Sequence, residues 1–127
     1  MLDHIAIATR DAAAMRRVYE LIGFTVDRTE EVPSQKVTAT FLRLDGLHVE
    51  LLEPTHEESS VAQAIARRGE GLHHLAFGVP SLDEAMRRFR ERGFRFIYET
   101  PQPGAGGKRV NFLHPKDCGG VLIELCE

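Results

Sequence analysis

The feature that most restricts how this chain can fold is an internal duplication within its 127 residues. Residues 2–8 (LDHIAIA) resemble residues 72–78 (LHHLAFG), and each precedes a helical pattern that contains Met-Arg-Arg and ends in Gly-Phe. Farther on, Val-Glu-Leu at 49–51 matches Ile-Glu-Leu at 123–125. An offset of about seventy residues that recurs at several places is the signature of a repeated structural unit. The chain is therefore predicted to contain two copies of one unit.

Each copy has the pattern β-α-β-β-β, which predicts an α+β fold of two tandem modules. Ile5 and Ile7 alternate with small residues, as in a strand with one packed face. Met15, Val18, Tyr19 and Ile22 form one helical stripe, which we expect to face the core. Strands are predicted at about 24–32, 36–44 and 47–53, then 94–99, 108–114 and 119–126. A single domain is expected, with module 1 at 1–54, a connecting helix within 55–70 and module 2 at 71–127.

Composition excludes several classes of protein. The formal net charge of −3 offers no general attraction for nucleic acid or anionic membranes. No apolar run approaches the ~20 residues of a membrane span, and the N-terminus lacks a signal-peptide layout. Cys118 and Cys126 do not suggest a disulfide framework. We therefore expect a cytoplasmic protein with no nucleic-acid or membrane partner.

Strand alternation places a histidine among small residues on one face of the first strand of each copy. His4 shares its face with alanines, and His74 shares its face with Ala76 and Gly78. Such a face leaves room for a ligand, whereas a packed core would have large aliphatic side chains there. In the last strand of each copy, Glu50 and Glu124 stand between aliphatic residues. A carboxylate in such surroundings is costly unless it is paired, hydrogen-bonded or bound to a cation.

A two-fold duplication brings His4, Glu50, His74 and Glu124 together around its pseudo-axis. Two imidazoles and two carboxylates suit Co²⁺, Mn²⁺, Ni²⁺, Fe²⁺ or Zn²⁺. Four protein ligands leave two positions on an octahedral ion for a bidentate substrate. A structural histidine or a solvent-facing glutamate would explain any one of these residues alone. Because the pairs recur in register, we predict a metal site.

Other polar residues are weaker candidates. His48 shares a face with Glu50 and is a candidate proton carrier, although Leu122 occupies its counterpart. The glycine-rich loop at 104–107 precedes Lys108 and Arg109, which can cover an anionic ligand or simply belong to a flexible hairpin connection. The loop lacks the order of a phosphate-binding P-loop.

The duplicated unit with paired His and Glu resembles the vicinal oxygen chelate superfamily. Within it, the chain is most similar to the methylmalonyl-CoA epimerases, over essentially its whole length. The motifs that carry the likeness are DHIA at 3–6, VELLEP at 49–54, GLHH at 71–74 and NFLHPKDCGGVLIEL at 111–125. This resemblance implies a glyoxalase-like fold, in which a curved mixed sheet surrounds one metal cleft, and metal ligands at His4, Glu50, His74 and Glu124.

The resemblance also implies an activity, namely inversion of the α-carbon of methylmalonyl-CoA by removal and return of its proton. A divalent metal, with Co²⁺ preferred over Mn²⁺, Ni²⁺ or Zn²⁺, would hold the acyl-CoA substrate in a homodimeric enzyme. Glu124 is the expected base. Some relatives carry a second glutamate where this chain has Ala39, so His48, Glu50 or a water held by the metal remain alternatives. Expected substrate-binding residues are Gln35, Lys108, Arg109 and Lys116.

Three other functions fit parts of this pattern. A glyoxalase I-type isomerase would share the metal site and bind a glutathione adduct. An extradiol dioxygenase would use two histidines and one carboxylate, whereas this chain offers a second carboxylate in register. A bleomycin-resistance-like binding protein would sequester a ligand without chemistry, and it would need none of the four metal-type residues.

Overall fold

A computed structural model describes every residue from Met1 to Glu127. The chain forms two compact units, one of His4–His73 and one of Met1–Asp3 with His74–Glu127. The module boundaries expected from the sequence, at 1–54, 55–70 and 71–127, remain predictions. The elements are β1 Leu2–Ala8, α1 Ala12–Ile22, β2 Thr25–Val32, β3 Val37–Leu44, β4 Leu47–Pro54, α2 Ser60–Arg68, β5 Gly71–Gly78, α3 Leu82–Glu91, β6 Gln102–Pro103, β7 Arg109–Leu113 and β8 Ile123–Cys126.

The sheet of the first unit has the strand order β2-β3-β4-β1. β1 lies parallel to β4, while β2, β3 and β4 are antiparallel neighbours. Leu42, Val49 and Leu51 form a buried core with Ile7 and other residues on the face that α1 covers. Because side chains alternate along a strand, Glu50 lies on the opposite face. We call this opposite face the site face.

The predicted apolar stripe of α1 is only partly correct. Met15 and Tyr19 pack against the core as expected. Val18 and Ile22 are 49% and 61% exposed, so the prediction that they face the core was wrong. Gly23 ends the helix with φ of 121° and its N–H donates to the carbonyl of Tyr19. The chain turns there from α1 towards β2, which begins at Thr25.

The sheet of the second unit has the strand order β5-β8-β7-β6, with β5 parallel to β8. α3 packs Leu82 and Met86 against Leu125 of β8. The α3 N-terminus is capped by Ser81, whose hydroxyl oxygen accepts a hydrogen bond from the Glu84 N–H. Both modules therefore place a helix on one face of a four-stranded sheet.

The predicted strand at 94–99 was wrong. Only Phe96 makes a bridge there, to Leu113, and the second strand of this module shrinks to β6. The side chain of Asn111 takes the place of the missing ladder: its Oδ1 accepts from the Tyr98 N–H at 3.2 Å and its Nδ2 donates to the Tyr98 carbonyl at 2.9 Å. A side chain thus satisfies backbone groups that a strand partner would otherwise satisfy.

Asn111→Leu is expected to lower the free energy of unfolding by about 2–4 kcal/mol, measured by urea denaturation. Asn111 is fully buried, so a leucine of similar size leaves the polar groups of Tyr98 without partners. Gln102→Leu, which removes a largely local hydrogen bond to the Thr100 carbonyl, is the control and should cost less than 1 kcal/mol. Equal losses in the two variants would contradict this structural role for Asn111.

None of the three α-helices combines the length and the apolar character that a membrane crossing requires.

Candidate functional site: two buried histidine–glutamate pairs

The first pair lies on the site face of the first unit. β1 and β4 are parallel neighbours with Ala6 beside Glu50, and His4 precedes Ala6 by two residues on the same face. His4 Nδ1 and Glu50 Oε1 are 3.4 Å apart. The side chains are only 5% and 9% exposed, so this contact is shielded from water.

The second unit repeats this arrangement with β5 and β8. Ala76 lies beside Glu124 across the parallel pair, and His74 precedes Ala76 by two residues. His74 Nε2 and Glu124 Oε2 are 3.1 Å apart, and both side chains are buried. His4 presents Nδ1 to its glutamate and His74 presents Nε2, so the two pairs repeat in position and differ in ring orientation. In each module, the histidine of the first strand therefore contacts the glutamate of the last strand.

The chemistry of these donors fits a divalent cation. Burial lowers the pKa of His74 to about 3, so its imidazole is neutral at physiological pH. A neutral imidazole has a lone pair to donate, which a protonated ring lacks. The imidazole nitrogen and the carboxylate oxygen converge on each other, which is the arrangement that a shared cation needs. Buried carboxylates are also stabilised by a bound positive charge.

Two phenylalanines complete the surroundings of the glutamates. Phe41 lies opposite Glu50, and Phe112 lies opposite Glu124, each on the neighbouring antiparallel strand. The Phe112 ring meets the His74 imidazole edge to face, with centroids 5.4 Å apart. Sequence reasoning missed both residues, although the repeat that links residues 41 and 112 could have revealed them. Each buried glutamate therefore has an alanine beside it on one neighbouring strand and a phenylalanine beside it on the other, so its surroundings within the sheet are apolar.

A second pair of glutamates connects these strands to the helices. The N–H of Ala12, at the start of α1, donates to Glu53 at 3.3 Å, and the N–H of Leu82, at the start of α3, donates to Glu127 at 3.1 Å. Glu53 and Glu127 each follow the buried glutamate of their strand by three residues. A carboxylate at a helix N-terminus satisfies a free N–H and interacts favourably with the helix dipole. Sequence reasoning missed this repeated contact as well.

Glu53→Ala is expected to lower the free energy of unfolding by about 1 kcal/mol, because the start of α1 loses an acceptor and a favourable charge. Thermal or urea denaturation measures the loss. Glu57→Ala, at an exposed site in the β4–α2 connection, is the matched control and should change stability by less than 0.5 kcal/mol. A Glu53→Ala protein as stable as the control would show that the contact contributes nothing.

The remaining predicted site residues lie in varied environments. His48 is exposed and lies across from Arg43, on the same face as Glu50. Gln35 is half-buried in the turn between β2 and β3. That turn ends at Lys36, which has φ of 55°, a left-handed conformation that glycine adopts more readily. Lys116 is exposed in a short 3₁₀ turn.

Lys108 and Arg109 both have acidic partners within the second unit. Lys108 Nζ lies 2.6 Å from a carboxylate oxygen of Asp3. Arg109 bonds Asp83 and Glu127, each at 3.0 Å. Both cations are therefore engaged in ion pairs, and their assignment to substrate stays a prediction.

Comparison with known proteins identifies the family of this chain. A family model described as the glyoxalase/bleomycin resistance protein/dioxygenase superfamily matches residues 3–112. The mitochondrial methylmalonyl-CoA epimerase of Bos taurus is 35% identical, over 98% of this chain and 72% of that protein. The ethylmalonyl-CoA/methylmalonyl-CoA epimerase of Cereibacter sphaeroides is 37% identical, over 98% of this chain and 95% of that protein.

A solved structure agrees with these sequence relatives. Streptomyces coelicolor methylmalonyl-CoA epimerase, in complex with 2-nitronate-propionyl-CoA, superposes with a TM-score of 0.93 at 42% identity, over 98% of this chain and 94% of that chain. This likeness confirms the predicted glyoxalase-like fold. The chain therefore belongs to the glyoxalase/bleomycin resistance protein/dioxygenase superfamily, and within it to the methylmalonyl-CoA epimerase family.

Proposed function

We propose that this protein interconverts the 2R and 2S epimers of methylmalonyl-CoA with the help of a divalent metal ion. The observation that carries the proposal is the pair of buried His–Glu contacts at equivalent positions of the two units, in a chain whose relatives are epimerases. The α-carbon of the substrate lies between a thioester and a carboxylate. Its proton is therefore acidic enough for removal by a positioned carboxylate.

The proposed metal ligands are His4, Glu50, His74 and Glu124. Their donor set of two imidazoles and two carboxylates suits Co²⁺, and Mn²⁺, Ni²⁺ and Zn²⁺ are the alternatives. When bound, the ion supplies positive charge next to the thioester and carboxylate oxygens, where negative charge develops during proton removal.

Glu124 is the proposed acid–base residue on one face of the α-carbon. As a base, its carboxylate takes the α-proton, and the electron pair of the broken C–H bond moves into the thioester carbonyl to give an enolate. As an acid, the protonated carboxyl returns a proton to the same face. Inversion therefore requires a second proton-transfer group on the opposite face, and the sequence offered His48 and Glu50 for that role.

Gln35 and Lys116 are the proposed contacts to the acyl-CoA outside the reacting centre. Lys108 and Arg109 are also proposed to bind the acyl-CoA. To do so, they must exchange their carboxylate partners for the substrate. A Cereibacter sphaeroides relative is named for both ethylmalonyl-CoA and methylmalonyl-CoA. One methylene is worth only about 1–3 kcal/mol of discrimination, so we expect some activity on ethylmalonyl-CoA as well.

The family resemblance also leads us to propose a homodimer that works in the cytoplasm. Light scattering coupled to size-exclusion chromatography measures the mass in solution. A mass near twice the 14.2 kDa of one chain supports the dimer, and a mass near 14.2 kDa refutes it.

The decisive experiment incubates Co²⁺-loaded protein with one methylmalonyl-CoA epimer in deuterated buffer. Formation of the other epimer, with deuterium at the α-carbon, supports the proposal. A metal-replete protein that leaves both epimers unchanged and unlabelled refutes epimerase activity without refuting metal binding. A glutathione hemithioacetal is the control substrate, and its conversion in place of methylmalonyl-CoA would favour a glyoxalase I-type isomerase.

A further inference from the structure

The site face of the first unit contains a carboxylate that the proposed function has not used. Inversion needs two proton-transfer groups, of which Glu124 is one, and this inference about the other rests on the proposed function. The sequence offered Glu50, itself a proposed metal ligand like Glu124, and His48 for the other role. Apart from the His4–Glu50 pair and His48, the same face of the sheet carries one further side chain that can transfer a proton.

The strand register puts Glu30 on that face. In β2 and β3, Glu30 lies directly opposite Ala39, and in β3 and β4, Ala39 lies directly opposite Leu52. Residues directly opposite each other in antiparallel strands point to the same face. Leu52 shares its face with Glu50, two residues earlier in β4. Glu30 is thus a second carboxylate on the site face, about 10 Å across two strand spacings from Leu52.

The residues in the same row as Glu30 are apolar, and two of them are alanines. Ala39 is fully buried, and its methyl group is short enough for a longer side chain on the next strand to extend over it. β1 contributes Ala8 to the same row, beside Leu52. The row therefore runs from a glutamate across two alanines and one leucine, and it contains no other ionisable side chain.

Arg28 holds the Glu30 carboxylate and helps to orient it. Arg28 Nη2 lies 3.4 Å from Glu30 Oε2, and the guanidinium carbon lies 3.8 Å above the Phe41 ring. Phe41 in turn lies opposite Glu50. The Glu30 side chain is 34% exposed, so it exchanges protons with water between turnovers. These contacts connect Glu30 to the glutamate of the site through one arginine and one aromatic ring.

The second unit supplies an internal comparison. Gln102 of β6 lies directly opposite Val110 of β7, which lies opposite Cys126 of β8. This row matches the row of Glu30, Ala39 and Leu52 in the first unit. The duplication therefore places a carboxylate in the first copy where the second copy has an amide, which does not transfer protons at physiological pH. The difference favours a chemical role for Glu30 over a role in packing.

We propose that Glu30 is the second acid–base residue, acting on the face of the α-carbon opposite Glu124. In one direction the Glu30 carboxylate takes the α-proton: the C–H bond breaks, an O–H bond forms, and the electron pair passes into the enolate. The Glu124 carboxyl then gives its proton to the other face, so that a C–H bond forms and its O–H bond breaks. In the reverse direction the two residues exchange roles, and water restores their protonation states.

The test follows each epimer separately with Co²⁺-loaded Glu30→Gln protein in deuterated buffer, and measures both inversion and α-deuteration. We expect inversion to fall by at least about 10²-fold, the usual contribution of one acid–base group. Deuterium exchange without inversion should persist for the epimer whose proton faces Glu124, and should be lost for the other. The affinity for Co²⁺, measured by calorimetry, should stay within about two-fold of wild type.

Glu31→Gln is the matched control, because Glu31 is the next residue of β2 and lies on the opposite face across from Thr38. It should invert both epimers at the wild-type rate. Inversion by Glu30→Gln within three-fold of wild type would overturn the assignment, as would equal loss of exchange from both epimers. The assignment also fails if His48→Ala protein exchanges deuterium into only one of the two epimers. Wild-type protein that neither inverts nor exchanges the substrate refutes the proposed function itself.

Discussion

Replacing Glu124 with glutamine is expected to lower kcat for epimerisation by about 10³-fold or more, without destabilising the metal-free protein. Glutamine keeps the shape of the side chain but neither accepts the α-proton nor offers a charged ligand. Glu124 is 4% exposed, and an ionised carboxylate so deeply buried is costly in the absence of a cation. The neutral amide of glutamine removes this cost of burying a charge, and its contact with His74 joins two neutral groups.

The measurements are kcat with added Co²⁺, Co²⁺ affinity by calorimetry, and urea unfolding of the metal-free protein. A fall in activity and metal affinity at unchanged or increased unfolding free energy would identify Glu124 as a functional group. Glu50→Gln is the matched variant in the other unit, and we expect it to weaken metal binding in the same way. A Glu124→Gln protein with full activity would refute both proposed roles of this residue.

Removing the metal is expected to abolish activity and to lower thermal stability together. A ligand that binds only the folded state stabilises it by about 4 kcal/mol at a thousand times its dissociation constant. For a domain of this size, that corresponds to a shift in Tm of roughly 10 °C or more. Dialysis against a chelator followed by titration with Co²⁺ should restore both properties over the same range of metal concentration.

His74→Ala is the control for this experiment. It removes a neutral imidazole that converges on Glu124, so the variant should respond much less to Co²⁺. Trials with Mn²⁺, Ni²⁺ and Zn²⁺ establish the preference among metals. If none of the four ions changes Tm or activity of the wild-type protein, the proposed metal site is wrong.

The repeat made much of the fold predictable from sequence. A pattern that occurs twice in register identified the β-α-β-β-β order and the two His–Glu pairs, because chance explains one such coincidence far more easily than two. The Gly-Phe dipeptide also predicted the helix end at Gly23, since a helix end depends on a few adjacent residues. These features need only periodicity and short-range contacts.

One error occurred where the two copies differ. The strand expected at 94–99 is replaced by irregular chain that Asn111 supports. An asparagine that substitutes for a strand partner has no local signature, because its two hydrogen bonds join residues thirteen positions apart. The exposure of Val18 and Ile22 likewise depends on how much of α1 the sheet covers, which amphipathic spacing does not specify.

The sequence by itself determined that this chain has two similar units, each with a histidine on its first strand and a glutamate on its last strand. Only the tertiary structure decided which further residues share that face. Register between strands sets those neighbours, and a shift of one residue would turn Glu30 to the opposite side. The same register places Phe41 and Phe112 beside the buried glutamates and Glu53 and Glu127 at the helix starts. Residues far apart in sequence meet only when their strands pair. The residue pattern of one strand does not specify which strand it pairs with, or in which register.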